Sequence, residues 1–137
     1  RAVAEVGPEA LRKCGLSLKK AESLRYLARA IESGELAEDK ISGLSTNEAL
    51  RALVELPGIG PWSASLVWLR GLGRLDVFPP GDVGAARGLG ALMHLRPGAS
   101  LTRRVERFGA YRGSLYCYAL GGSLLRNDLI QAASSSR

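Results

Sequence analysis

The chain has 137 residues, enough for about one domain that buries its own core without disulfide or metal staples. Its 19 Lys and Arg against 13 Asp and Glu leave a formal charge of +6, a balance that suits a polyanionic partner such as nucleic acid without being peculiar to one. Cys14 and Cys117 form no C-x-x-C pair and have no partner at metal-ligand spacing, and no apolar run approaches a membrane span. The pattern argues against a disulfide scaffold, a zinc or iron-sulfur site and a membrane protein, and both cysteines read as reduced thiols of an intracellular protein.

In chain order, residues 8–14 predict a short helix stopped by Gly15. Ser17 caps a longer one to about Ser33, in which Leu24, Leu27, Ala28 and Ile31 have the i, i+3, i+4, i+7 spacing of a buried stripe. Lys19, Lys20, Arg25 and Arg29 fall on its wet side, as solvated charges or as contacts to an anion. Residues 34–44 form a polar connection with room for one helical turn. Ser45 and Glu48 then make an S-x-x-E capping box for a helix whose stripe is Ala49, Leu50, Leu53 and Val54.

That helix runs into a glycine hairpin, Leu56-Pro57-Gly58-Ile59-Gly60-Pro61. Gly58 and Gly60 have no Cβ, so the backbone can turn through positive φ and come close to another molecule, and Pro61 suits the first position of a new helix. Exposed amides beside a helix N-terminus make an anion site that is blind to sequence. A bare G-x-G also simply joins two helices, and the motif alone does not decide between these readings.

The second hairpin helix, from Pro61 to about Leu72, is nearly all apolar and is expected to be buried on most sides, with Trp68 in the core. A loop over residues 76–81, restricted by Pro79 and Pro80, leads to Asp82. An aspartate at that place is a natural N-cap for the helix expected from Asp82 to about Met93, weakened by Gly84, Gly88 and Gly90. His94, the one histidine, reads as a surface or helix-end residue, and Arg96-Pro97-Gly98 as a turn. A helix from about Leu101 to Phe108 carries Arg103, Arg104 and Arg107 around Glu106, either as a solvated face or as phosphate contacts. The last helix, about Tyr111 to Leu120, contains Arg112, Tyr116 and Tyr118, and a serine-rich tail follows. No segment alternates as a strand does. The expected fold is all-α, with one domain over residues 1–126 and a polar tail over 127–137.

L-P-G-I-G-P-W-S-A, the apolar helix after it and V-F-P-P-G-D together resemble the helix-hairpin-helix DNA glycosylase superfamily, in particular its 3-methyladenine DNA glycosylase II branch. The similarity runs from about Pro8 to about Leu120 and is strongest from Leu56 to Asp82. The resemblance implies that Pro57, Gly58, Ile59 and Gly60 grip the DNA backbone, with an alkali ion at the backbone of Leu56 and Ile59, and that Asp82 is catalytic. Members that also cut the backbone carry a Schiff-base lysine where this chain has Trp62. An indole forms no imine, so a monofunctional enzyme is implied, without redox or nucleotide cofactor. Trp62 then either stacks on an extruded base or sits in the core with Leu66 and Leu69.

Two departures stand out. The family's W-x-P-W-R appears here as Phe108-Gly109-Ala110-Tyr111-Arg112, which matches Arg112 and leaves Tyr111 as an altered pocket wall. The family's domain also begins well upstream, so the chain, which opens at Arg1, is expected to be truncated at its N-terminus.

The function implied is hydrolysis of the N-glycosidic bond of an alkylated purine, of the 3-methyladenine or 7-methylguanine type, in duplex DNA. Bond breaking builds positive charge on the sugar. One carboxylate about 4 Å away contributes about 4 kcal/mol at an effective dielectric of 20, which is roughly a thousandfold in rate. The alternatives are a non-catalytic helix-hairpin-helix module that holds DNA while Asp82 merely caps a helix, and a glycosylase for a mismatched or oxidised base.

Overall fold

The structure, a computed structural model, describes residues 2–95 and 100–126. It is all-α, with no strand among the described residues. The chain divides into two compact units, Arg1–Ala64 and Ser65–Arg137.

The first unit holds α1 (Ala2–Glu5), α2 (Pro8–Lys13), α3 (Leu18–Glu32), α4 (Glu38–Ser42) and α5 (Thr46–Val54). Local chemistry sets most of these boundaries. Pro8 opens α2, and Gly15 at φ 90° lies just past its end. The Ser17 hydroxyl accepts from the Lys20 amide to cap α3, and beyond Gly34, at φ 72°, the Leu36 amide returns to the Ala30 carbonyl at 2.9 Å. At α5 the Ser45 amide donates to the Glu48 carboxylate at 3.0 Å and its hydroxyl donates to the same oxygen, so the capping box forms as expected.

The stripe expected on α3 is not the buried one. Leu24 and Ile31 are 41% and 60% exposed, whereas Ala21 and Ala30 are buried. α3 packs against α1 and α2, and the Arg29 Nε–H donates to the Ala4 carbonyl at 3.4 Å, so small side chains lie where those short helices approach it. Periodicity finds an apolar face but does not say which face another element covers. Of the expected wet side, Lys19, Lys20 and Arg29 are exposed and Arg25 is half-buried.

α6 (Pro61–Leu66) follows the hairpin and continues as a π-helical turn, Val67–Gly71. The second unit then contains α7 (Val83–Leu92), α8 (Leu101–Glu106), a 3-10 turn (Gly109–Tyr111) and α9 (Arg112–Arg126). Trp68 is buried as expected, and its indole N–H donates to Asp76 at 3.1 Å while the Arg74 guanidinium lies 5.4 Å from its ring centroid. Val67 is exposed, so the apolar helix is buried less completely than its composition suggested.

Two glycines let α9 sit close to its neighbours. A Cβ on Gly88 of α7 would lie 2.6 Å from the Ala119 carbonyl oxygen, and one on Gly113 would lie 2.8 Å from the carbonyl oxygens of both Leu75 and Val77. The Gly113 amide donates to the Leu75 carbonyl at 2.6 Å. α9 therefore braces both α7 and the loop leading to Asp82. The turn expected at residues 96–98 and the tail over 127–137 lie outside the described residues.

Candidate active site

The hairpin belongs to the first unit. The Leu56 amide donates to the Leu53 carbonyl at 3.2 Å, the Ile59 amide to the Leu56 carbonyl at 3.1 Å, and the Ala64 amide to the Gly60 carbonyl at 2.9 Å, which starts α6. Gly58 has φ 82°, the left-handed region that favours glycine. Its Cα faces α3 so closely that an added Cβ would be 2.6 Å from the Ser23 Cβ. Gly60 does not share this requirement: its φ is not positive and nothing lies within 4 Å of its missing Cβ. One glycine thus makes the turn, and the other leaves an open approach. Pro57 and Gly58 are exposed, Ile59 is half-buried, and Gly58 borders a shallow groove of about 260 Å³ with Lys19, Lys20 and Ser23.

Trp62 is 44% exposed in the first turn of α6, so the core reading of this side chain does not hold. Leu69 is buried and Leu66 half-buried.

Asp82 belongs to the second unit. It is the N-cap of α7, with φ −75° and ψ 99°, and its Oδ1 accepts the Ala85 amide at 2.8 Å. Its Oδ2 accepts the Tyr116 hydroxyl at 3.0 Å. Tyr116 was not distinguished from its neighbours in the sequence, because a contact across 34 residues leaves no local signal. The phenol is 3% exposed and meets Phe78 edge to face at 5.8 Å. Burial, followed by the hydrogen bond to Asp82 and that residue's charge, pushes the phenol above its ordinary value of 10.0, so Tyr116 stays a protonated donor.

Asp82 opens onto a groove of about 480 Å³, whose lining also includes Phe78, Pro80, Thr102, Glu106 and Arg112. Of the four arginines singled out in the sequence, Arg112 lines this groove, with its Nε–H donating to the Gly109 carbonyl at 2.8 Å. Arg103, Arg104 and Arg107 are exposed along α8 and do not line it. Tyr111 is 69% exposed and is also absent from the lining. Cys14 and Cys117 are free and exposed, and among the described residues no cluster of His, Cys, Asp and Glu could hold a metal ion. Among the same residues no helix is long and apolar enough to cross a membrane.

A glycine hairpin followed by an apolar helix and a capping aspartate defines a class, and the comparison with known families agrees: residues 1–108 match the model of the HhH-GPD superfamily base excision DNA repair proteins, and the chain belongs to that family. Within it, the chain is 32% identical over 93 residues to a DNA-3-methyladenine glycosylase of Bacillus subtilis, covering 68% of this chain and 31% of that protein. It is 41% identical over 80 residues to the DNA-3-methyladenine glycosylase 2 of Escherichia coli, covering 58% of this chain and 28% of that protein. Among solved structures, a DNA-3-methyladenine glycosidase of Bacillus halodurans superposes with a TM-score of 0.72 at 28% identity, covering 92% of this chain and 60% of that one. The chain thus spans about a third of the length of these curated relatives.

Proposed function

We propose that this chain carries the hairpin and the catalytic acid of a monofunctional DNA glycosylase, which hydrolyses the N-glycosidic bond of alkylated purines in duplex DNA during base excision repair. The observation that carries the reading is the Asp82 carboxylate, held through both oxygens at the mouth of an open groove. The names of the relatives, 3-methyladenine glycosylases from bacteria and yeast, support the substrate class.

In this reading Pro57, Gly58, Ile59 and Gly60 lie against the DNA backbone, where the Gly58 and Gly60 amides contact phosphate without reading sequence, since Pro57 has no N–H and the Ile59 amide donates to Leu56. The carbonyl oxygens of Leu56 and Ile59 are hard donors of the kind an alkali ion takes, and the Leu56 carbonyl, which accepts the Ile59 amide, keeps a second lone pair. An ion there would reinforce the anion grip. The exposed indole of Trp62 stacks on the extruded base or its neighbour. Tyr111, also exposed, offers a second aromatic face, and Arg103, Arg104, Arg107 and Arg112 are contacts to phosphate. An alkylated purine is cationic, which makes it a better leaving group and adds a cation-π component to stacking.

As the C–N bond lengthens, the sugar gains positive charge and Asp82 stabilises it. Water then adds to the sugar carbon and loses a proton, leaving an abasic site and the free base. Trp62 supplies no amine, so no imine forms and the DNA backbone is not cut. An intracellular location, where the DNA is, follows from this reading.

The test is release of 7-methylguanine and 3-methyladenine from methylated duplex DNA by this chain and by Asp82→Asn. Asparagine keeps the cap through its one carbonyl oxygen and removes the charge, while its NH2 group, a donor, faces the Tyr116 hydroxyl, which then accepts. Release should fall roughly a thousandfold with DNA binding unchanged. Equal release by both would remove Asp82 from the chemistry, and binding without any release would favour a non-catalytic DNA module.

A further inference from the structure

We infer that Tyr116 is a positioning residue for the reaction: its hydroxyl holds the Asp82 carboxylate in one orientation and in its ionised form. The inference rests on the glycosylase reading above and adds a residue that its motif does not contain.

Packing on both sides fixes the phenol. α9 is pinned one turn before Tyr116 at Gly113, whose missing Cβ lets the helix backbone touch the carbonyls of Leu75 and Val77. It is pinned again one turn after, at Ala119, where Gly88 of α7 lies against its carbonyl. Between these two contacts the phenol is 3% exposed and braced at 82° against the ring of Phe78. The position of its hydroxyl oxygen therefore follows from the helix packing, and the O–H turns to the acceptor within reach.

That O–H ends 3.0 Å from Asp82 Oδ2, while the Ala85 amide holds Oδ1 at 2.8 Å. The cap donor holds one oxygen and the phenol the other, and two donors on different oxygens set the plane of the carboxylate, so the charge needs little reorganisation when the sugar becomes cationic. A hydrogen bond donated to a carboxylate also favours its ionised form. Phenylalanine would fill the same space beside Phe78 and would remove from Tyr116 only the hydroxyl that donates to Asp82. Arg70 and Cys117 also act on the phenol through space, and Glu106 and Arg112 line the groove with Asp82.

The test is Tyr116→Phe in the 137-residue chain, with single-turnover release of 7-methylguanine followed across pH and the 13C shift of the Asp82 carboxyl titrated in parallel. Asp82→Asn identifies that resonance. Tyr116→Phe should lower the rate of the chemical step about tenfold with DNA affinity unchanged, and should move both the acid limb of the profile and the carboxyl midpoint to higher pH. In the unaltered chain the Tyr116 Cζ shift should titrate with that same midpoint, a readout that needs no variant to fold.

An unmoved midpoint, or a rate that falls only as folded protein is lost, would reduce Tyr116 to a packing residue. A shifted midpoint with an unchanged rate would overturn its part in the reaction. If the unaltered chain releases no base, the glycosylase reading fails on its own, and the titrations alone decide whether Tyr116 controls the carboxylate.

Discussion

At Gly58 one hydrogen atom in place of a methyl group serves two needs that other residues cannot meet together. The backbone there has φ 82°, and the space beside its Cα is taken by Ser23 of α3. A non-glycine residue in the left-handed region costs about 1–2 kcal/mol, and a Cβ 2.6 Å from that of Ser23 forces a shift of helix or turn. Gly58→Ala should therefore lower the urea midpoint and weaken DNA binding. Adding Ser23→Gly should recover the part due to the clash and leave the part due to φ, once the cost of glycine within α3, read from Ser23→Gly alone, is subtracted. Gly60→Ala, with ordinary φ and open space, should leave stability nearly unchanged. If it nonetheless weakens DNA binding, its surface is an approach for the ligand.

Helix ends are where this chain speaks most plainly, because a cap is decided within four residues. Ser17, Ser45 and Asp82 cap helices, and Gly15 and Gly34 lie past helix ends in left-handed conformation. Glu48 gives the pH consequence. Hydrogen bonds from the Ser45 hydroxyl and then from its amide hold the carboxyl below its ordinary value of 4.5. A group depressed in the folded state adds stability above its unfolded value and loses it as pH falls through the folded one. The small contribution of this exposed carboxylate should thus fade as pH falls below 4.5, and Glu48→Gln, which keeps the box but cannot titrate, should flatten that part of the stability curve.

What the sequence left unread depends on distant partners. Leu24 and Ile31 keep helical periodicity but lie on the face of α3 that no described element covers fully. The π turn after Leu66 needs the Leu72 amide to reach the Val67 carbonyl, a choice set by tertiary packing rather than by propensity. The contact of Tyr116 in α9 to Asp82 at the start of α7 joins residues 34 apart in the chain. Asp82 was legible as a cap from its place before α7, where the cap forms, whereas its catalytic role came from the family resemblance and is the role proposed above.

For the whole molecule, which carries a formal charge of +6, the proposed binding to DNA would respond to salt according to how many phosphates its lysines and arginines neutralise. Each phosphate neutralised by a lysine or arginine releases counterions, and the logarithm of the binding constant falls with the logarithm of salt concentration by about 0.9 per contact on duplex DNA. A hairpin that holds phosphate through neutral amides adds affinity but little slope. The two kinds of contact are therefore separable by titration. Arg103→Ala with Arg104→Ala, on the exposed face of α8, should reduce the slope by about two if both side chains reach phosphates. Gly58→Ala should instead lower affinity by the same factor at every salt concentration. Measured by fluorescence anisotropy on one duplex across a salt series, an unchanged slope in the double arginine variant would mark α8 as a solvated face. The hairpin and the remaining basic residues would then account for the grip on DNA.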